Sequence, residues 1–264
     1  MIPGRSTDSM GQISRSGVRL REKTARVVSL LEATFGIPRQ SHPLPPPLDM
    51  LVATILSQNT NDKNSFRAYE TLRGEFRNWS DVARAPVGRV IDAIRSGGMA
   101  RQKGPRIQAV LEEVRNRYRA YSLEPLLRKR SSTIIDELTS MNGVGPKTAA
   151  CVLLFSLGRD IFPVDTHVHR ICVRLGLAPE SRTPDETFRR MIGLVPRGKG
   201  YAFHTNLIRF GRTVCRSNVP LCGECNLYRY CRYDRKDRSR KRAAPTEAEH
   251  HFMLLDNVKV TGDN

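Results

Sequence analysis

Apolar residues recur at helical spacing along most of this chain, and nowhere alternate with polar ones long enough for a half-buried strand. Over residues 18–35, Leu20, Val27, Val28, Leu31 and Phe35 share one helical face. A proline-rich stretch, 38–47, reads as an extended connector, and the apolar run 48–57 as a buried helix. Gln58-Asn59-Thr60-Asn61-Asp62 suits a turn and a new N-cap. The pattern predicts further helices over 66–76, 79–85, 87–94, 105–121, 123–129, 133–141 (capped by Ser132), 147–157, 184–194 and 200–212. Another helix-like run begins after Asp165, and Gly97-Gly98-Met99-Ala100 breaks the pattern ahead of residue 105. The chain is predicted to be mostly α, without a fixed-period repeat.

Charge narrows the class of partner. With 44 Lys and Arg against 26 Asp and Glu, the 264 residues carry +18, and the pI is near 10.3. Such an excess attracts a polyanion, nucleic acid first of all. The Ser/Gly/Arg-rich stretch 1–18 reads as a disordered tail rather than a secretory signal. No apolar run is long enough to span a membrane, so a cytoplasmic, nucleoid-associated protein is expected. Residues 234–264 begin with a dense basic run and read as a flexible tail that adds salt-sensitive affinity for DNA.

Two of the six cysteines, Cys151 and Cys172, lie in apolar helical patterns and read as reduced core residues. The other four, Cys215, Cys222, Cys225 and Cys231, have the spacing C-x6-C-x2-C-x5-C. In a reducing compartment this is a metal site rather than a disulfide framework. Zinc and an iron–sulfur cluster both take four thiolates. Zinc sites usually use two short Cys pairs; only one is present, which tilts the reading toward [4Fe–4S].

The stretch 141–170 holds the candidate chemistry. Gly143-Val144-Gly145 forms a tight turn between two helices, and the second helix opens with unpaired N–H groups suited to a phosphate. Lys147 falls in that first turn, where the helix dipole and partial burial both disfavour an ammonium, as a covalent amine catalyst needs. Asp165 precedes the next helix, where its ionised form is stabilised. The plainer alternative makes Lys147 a phosphate contact and Asp165 an N-cap. His167 suits a phosphate contact; it does not share a face with His169, so the pair is not a metal site.

With Gly143-Val144-Gly145-Pro146-Lys147-Thr148-Ala149, Val164-Asp165-Thr166-His167 and the four-cysteine loop in order, residues 20–233 resemble the endonuclease III family. These are DNA glycosylase/AP lyases of the helix-hairpin-helix superfamily. The resemblance implies an all-α, two-domain fold: a six-helix barrel (49–157) and an iron–sulfur cluster domain (19–48 with 158–233) flanking a DNA cleft. It implies Lys147 as Schiff-base nucleophile, Asp165 as catalytic carboxylate, and a [4Fe–4S] cluster on Cys215, Cys222, Cys225 and Cys231. Gly143, Val144, Gly145, Thr148 and His167 become DNA contacts. The implied partner is damaged double-stranded DNA, with no membrane involved and a monomer acting. Oxidised pyrimidines are the implied substrates, flipped out of the duplex.

The chain departs from the family at three places. Asn59 stands where a gap-filling glutamine is common, with Gln58 just before it. Met99 supplies a possible apolar wedge in the second inserting loop. Pro146 replaces a frequent basic residue. Two rival functions are a mismatch-specific glycosylase of the same superfamily, whose members generally lack the lysine, and a non-catalytic DNA-binding or redox-sensing protein.

Overall fold

The computed structural model describes residues 15–241, and helices are the only regular elements among them. The chain starts with α1 (Arg15–Phe35), then builds α2 (Pro47–Leu56), α3 (Asp62–Glu75), α4 (Trp79–Arg84), α5 (Val87–Ala93), α6 (Ala100–Tyr118), α7 (Ser131–Thr139) and α8 (Pro146–Phe155). It ends with α9 (Thr166–Arg174), α10 (Pro184–Met191) and α11 (Gly200–Thr213). Among the described residues no helix is long and apolar enough to cross a membrane.

Two apolar cores organise these helices. One gathers α2 to α8, with α2 buried along its whole length, as its nearly uninterrupted apolar sequence requires. The other joins α1 to α9, α10 and α11. The chain therefore leaves the second core after α1 and returns to it after α8. Asp49, buried at 5% exposure, ties the first core together by accepting hydrogen bonds from Tyr69 Oη (2.7 Å) and Trp79 Nε1 (3.0 Å). Arg212 of α11 reaches Asp62 at the start of α3 (2.5 Å), linking the two halves.

Three sequence expectations are corrected. Helix α1 starts at Arg15, inside the stretch expected to be disordered, because each residue added to a nucleated helix gains a hydrogen bond. Helix α6 starts at Ala100 rather than near residue 105: Gly104 lets α6 lie against Ile91, and Pro105 is absorbed within the helix. Ser132 caps nothing, since α7 begins one residue earlier behind an extended Arg130.

The start of the supposed C-terminal tail is also ordered. Lys236 Nζ donates to Cys231 O (2.7 Å), and Gly223 N donates to Arg240 O (2.9 Å), so residues 234–241 fold back over the cysteine loop. The remaining tail expectations, for residues 1–14 and 242–264, lie outside the described residues.

Candidate active site and DNA-binding face

The α7–α8 turn is built as its sequence demands. Val144 is buried and donates its N–H to Met141 O (3.1 Å), closing the turn. Gly143 has φ +83°, and a Cβ there would collide with the Arg106 side chain. Helix α8 then opens behind Gly145 without any side-chain cap, so its first N–H groups have no side-chain partner. Half-buried Lys147 sits in that first turn.

At the start of α9, Asp165 is the N-cap, its Oδ1 accepting from Val168 N (2.8 Å). Burial opposes its charge, but His204, the Val168 N–H, Lys147 and His167 together outweigh burial and hold its pKa below the usual aspartate value. The Lys147 and Asp165 charges thus act on one another. Cys151 lies fully buried behind both, its thiol pushed up to about 11 mainly by burial.

His204 of α11 is a site residue that the sequence did not signal. It is 1% exposed, lies edge-on to Phe155 and Phe162, and its Nδ1–H donates to Pro163 O (2.9 Å). Burial outweighs the Asp165 charge and the Pro163 carbonyl and keeps its pKa below the ordinary histidine value. The Pro163 carbonyl it holds lies two residues before Asp165. Sequence reading had no means of finding it, since a single histidine in an apolar helix carries no distinctive spacing.

His167 accepts from Arg170 Nη2 on Nδ1 (3.2 Å), which leaves Nε2 as the protonated nitrogen. His169 instead packs between helices, with Nδ1 2.8 Å from Thr187 Oγ1.

The candidate inserting residues divide clearly. Gln58 is tied back to the hairpin: Arg106 Nη1 donates to its Oε1 (3.2 Å), and its Nε2 donates to Thr148 Oγ1 (3.4 Å). Asn59 is exposed and left-handed at φ +51°. Met99, at the N-cap of α6, is 44% exposed and left-handed at φ +52°. Arg106 joins Gly143 to Gln58 and was not anticipated from the sequence, where it is one basic residue among many.

Cys215, Cys222, Cys225 and Cys231 line one cavity at the end of α11. Among the described residues no group of three such side chains is arranged to hold a single metal ion. The sulfurs receive hydrogen bonds, Arg174 Nη1 donating to Cys215 Sγ and Tyr233 N to Cys231 Sγ (both 3.4 Å). Arg216, next to the first cysteine, is exposed.

Residues 52–197 match the HhH-GPD superfamily of base excision DNA repair proteins. Endonuclease III of Thermotoga maritima is 34% identical over 197 residues, 75% of this chain and 88% of that protein. Endonuclease III of Bacillus subtilis is 31% identical over 190 residues, 72% of this chain and 83% of that one. A solved non-covalent complex of endonuclease III with DNA superposes with a TM-score of 0.69 at 25% identity, covering 80% of this chain and 95% of that one. Helical architecture, hairpin motif and these likenesses agree: the chain belongs to the endonuclease III family, the DNA glycosylases of base excision repair.

Proposed function

We propose that this glycosylase is bifunctional, excising oxidised pyrimidines such as thymine glycol from damaged duplex DNA and then cleaving the strand 3′ to the abasic site. One observation carries the reading: an amine and a carboxylate stand at two helix starts beside a glycine turn, close enough for Lys147 to lower the pKa of Asp165. The Lys147 amine attacks C1′ of the extruded nucleotide. A C–N bond forms as the N-glycosidic bond breaks, and the base leaves with its electron pair and takes up a proton. Ring opening gives the iminium, and loss of the C2′ proton expels the 3′ phosphate by β-elimination. Asp165, held ionised, accepts the lysine proton and faces the positive charge developing on the sugar.

The remaining roles follow from position. The turn at Gly143, Val144 and Gly145 sets the uncapped start of α8 against a phosphate, with the Lys147 and Thr148 N–H groups as donors. His167 offers Nε2–H to another. Asn59, rather than the tethered Gln58, fills the space left by the flipped nucleotide, and Met99 wedges the opposite side.

The four cysteines suit a [4Fe–4S] cluster, which takes one thiolate per iron: all four line one cavity, and the Cys215 and Cys231 sulfurs accept hydrogen bonds. Held by Cys215, Cys222, Cys225 and Cys231, such a cluster would tether the loop covalently. Cys222→Ser is expected to abolish visible iron–thiolate absorbance; zinc release instead would overturn this assignment.

Borohydride trapping on abasic-site DNA tests the main reading. The wild-type protein is expected to form a covalent adduct and Lys147→Ala none. Absence of an adduct with either protein would reduce the activity to base removal alone.

A further inference from the structure

Lys103 is the one lysine in the buried polar set of the described residues, at 2% exposure. An ammonium out of water is costly unless its donors are used. Here Nζ donates to Leu56 O (2.7 Å) and Gly97 O (2.8 Å). Leu56 is the last residue of α2, and Gly97 the last of a short 3-10 turn, Arg95–Gly97. Both carbonyls therefore lie at helix ends, where such groups lack internal partners and favour a cation. Burial, followed by the Arg106 charge, pushes the Lys103 pKa down to about 8.

Each anchored carbonyl is followed closely by an exposed residue in left-handed backbone, Asn59 after Leu56 and Met99 after Gly97. Left-handed non-glycine residues persist where their surroundings fix them. Lys103 also donates its backbone N–H to Met99 O (3.0 Å). The two loops are neighbours: a Cβ on Gly98 would lie 3.8 Å from Thr60 Oγ1.

We propose that Lys103 is a positioning residue that fixes the two loops in register, so that Asn59 and Met99 enter the duplex together. This rests on the reading of Asn59 and Met99 as the inserted residues. Registered loops matter while a nucleotide is being pulled from a paired stack, and matter little once it is already extrahelical.

The test is single-turnover excision of thymine glycol from a fully paired duplex and from a bulge that leaves the lesion unpaired. Lys103→Met, which keeps the apolar stem, is expected to lower the paired-to-bulged rate ratio about tenfold, a difference near 1.4 kcal/mol in barrier. Equal losses on both substrates, or no loss, would overturn the proposal. Asn59→Ala and Met99→Ala are measured in parallel. If they move the ratio and Lys103→Met does not, the positioning role alone fails; if neither moves it, the insertion reading fails and the proposal falls with it. Lys103→Gln, which keeps an amide donor, is expected to lower the ratio less. It decides the matter by the same criterion should the methionine variant not fold.

Discussion

Helix α8 opens with no side-chain cap, whereas α9 opens with Asp165 folded over its own N–H groups. The two starts share one electrostatic resource, the partial positive charge of a helix N-terminus. Gly145 and Pro146 leave that charge available to something outside the protein. Asp165 consumes it internally and in return is kept ionised despite burial. One helix start is suited to gripping a backbone, the other to maintaining a charged reagent. The lysine beside the open start and the carboxylate at the closed one form the proposed catalytic pair.

The most severe break in this comparison is Lys147→Ala. On the proposed mechanism it eliminates borohydride trapping and strand cleavage, while gel-shift affinity for abasic DNA stays nearly unchanged. Next comes Asp165→Asn, which retains a good cap but loses the charge. Excision is expected to fall by roughly 10²- to 10⁴-fold in single-turnover assays, with a modest fall in Tm at pH 7 as the stabilising charge is lost. Asp165→Ala should lose activity similarly and also about 1 kcal/mol of stability, through the lost cap.

Acid sharpens the same contrast. A carboxyl whose folded pKa is depressed stabilises the fold above its unfolded value, and that contribution is lost as pH falls through the folded value. The melting advantage of wild type over Asp165→Asn at pH 7 is therefore expected to shrink below about pH 4.

The smallest effects separate the two hairpin glycines. Gly143→Ala meets both a left-handed backbone and Arg106, and should cost ~1–3 kcal/mol in chemical denaturation. Gly145 has φ −92° and nothing within 4 Å of its missing Cβ. Gly145→Ala is expected to change stability by less than about 0.5 kcal/mol, with any loss confined to DNA affinity.

What the sequence revealed was whatever is encoded locally. Asn61 caps α3 through Asn64 N because a polar cluster before an apolar run has few other uses. The hairpin glycines, the Asp165 cap and the cysteine spacing were readable for the same reason. Features made by distant segments were not. Lys103 looked like one more cation in a basic chain until α2 and the 95–97 turn brought their carbonyls to it. Gln58 and Asn59 are adjacent and similar in chemistry; only Arg106 and Thr148, far along the chain, distinguish the tethered residue from the exposed one. The helix predicted to start at Pro105 starts at Ala100 instead, where packing of Gly104 against Ile91 supports the added turn. Local signals mark where elements begin, and long-range contacts decide which side chains are free to act.

The close fit around Gly223 has a practical consequence. The backbone at Arg238 and Arg240 lies so near that even a methyl group at Gly223 would not fit. Residues 234–241 are thus a strap fastened across the sulfur-bearing loop, not a dispensable appendage. A version trimmed immediately after Tyr233 would lose the Arg240 carbonyl that accepts from Gly223 N and the Lys236 ammonium that holds Cys231 O, so shortening the protein is best stopped beyond Lys241.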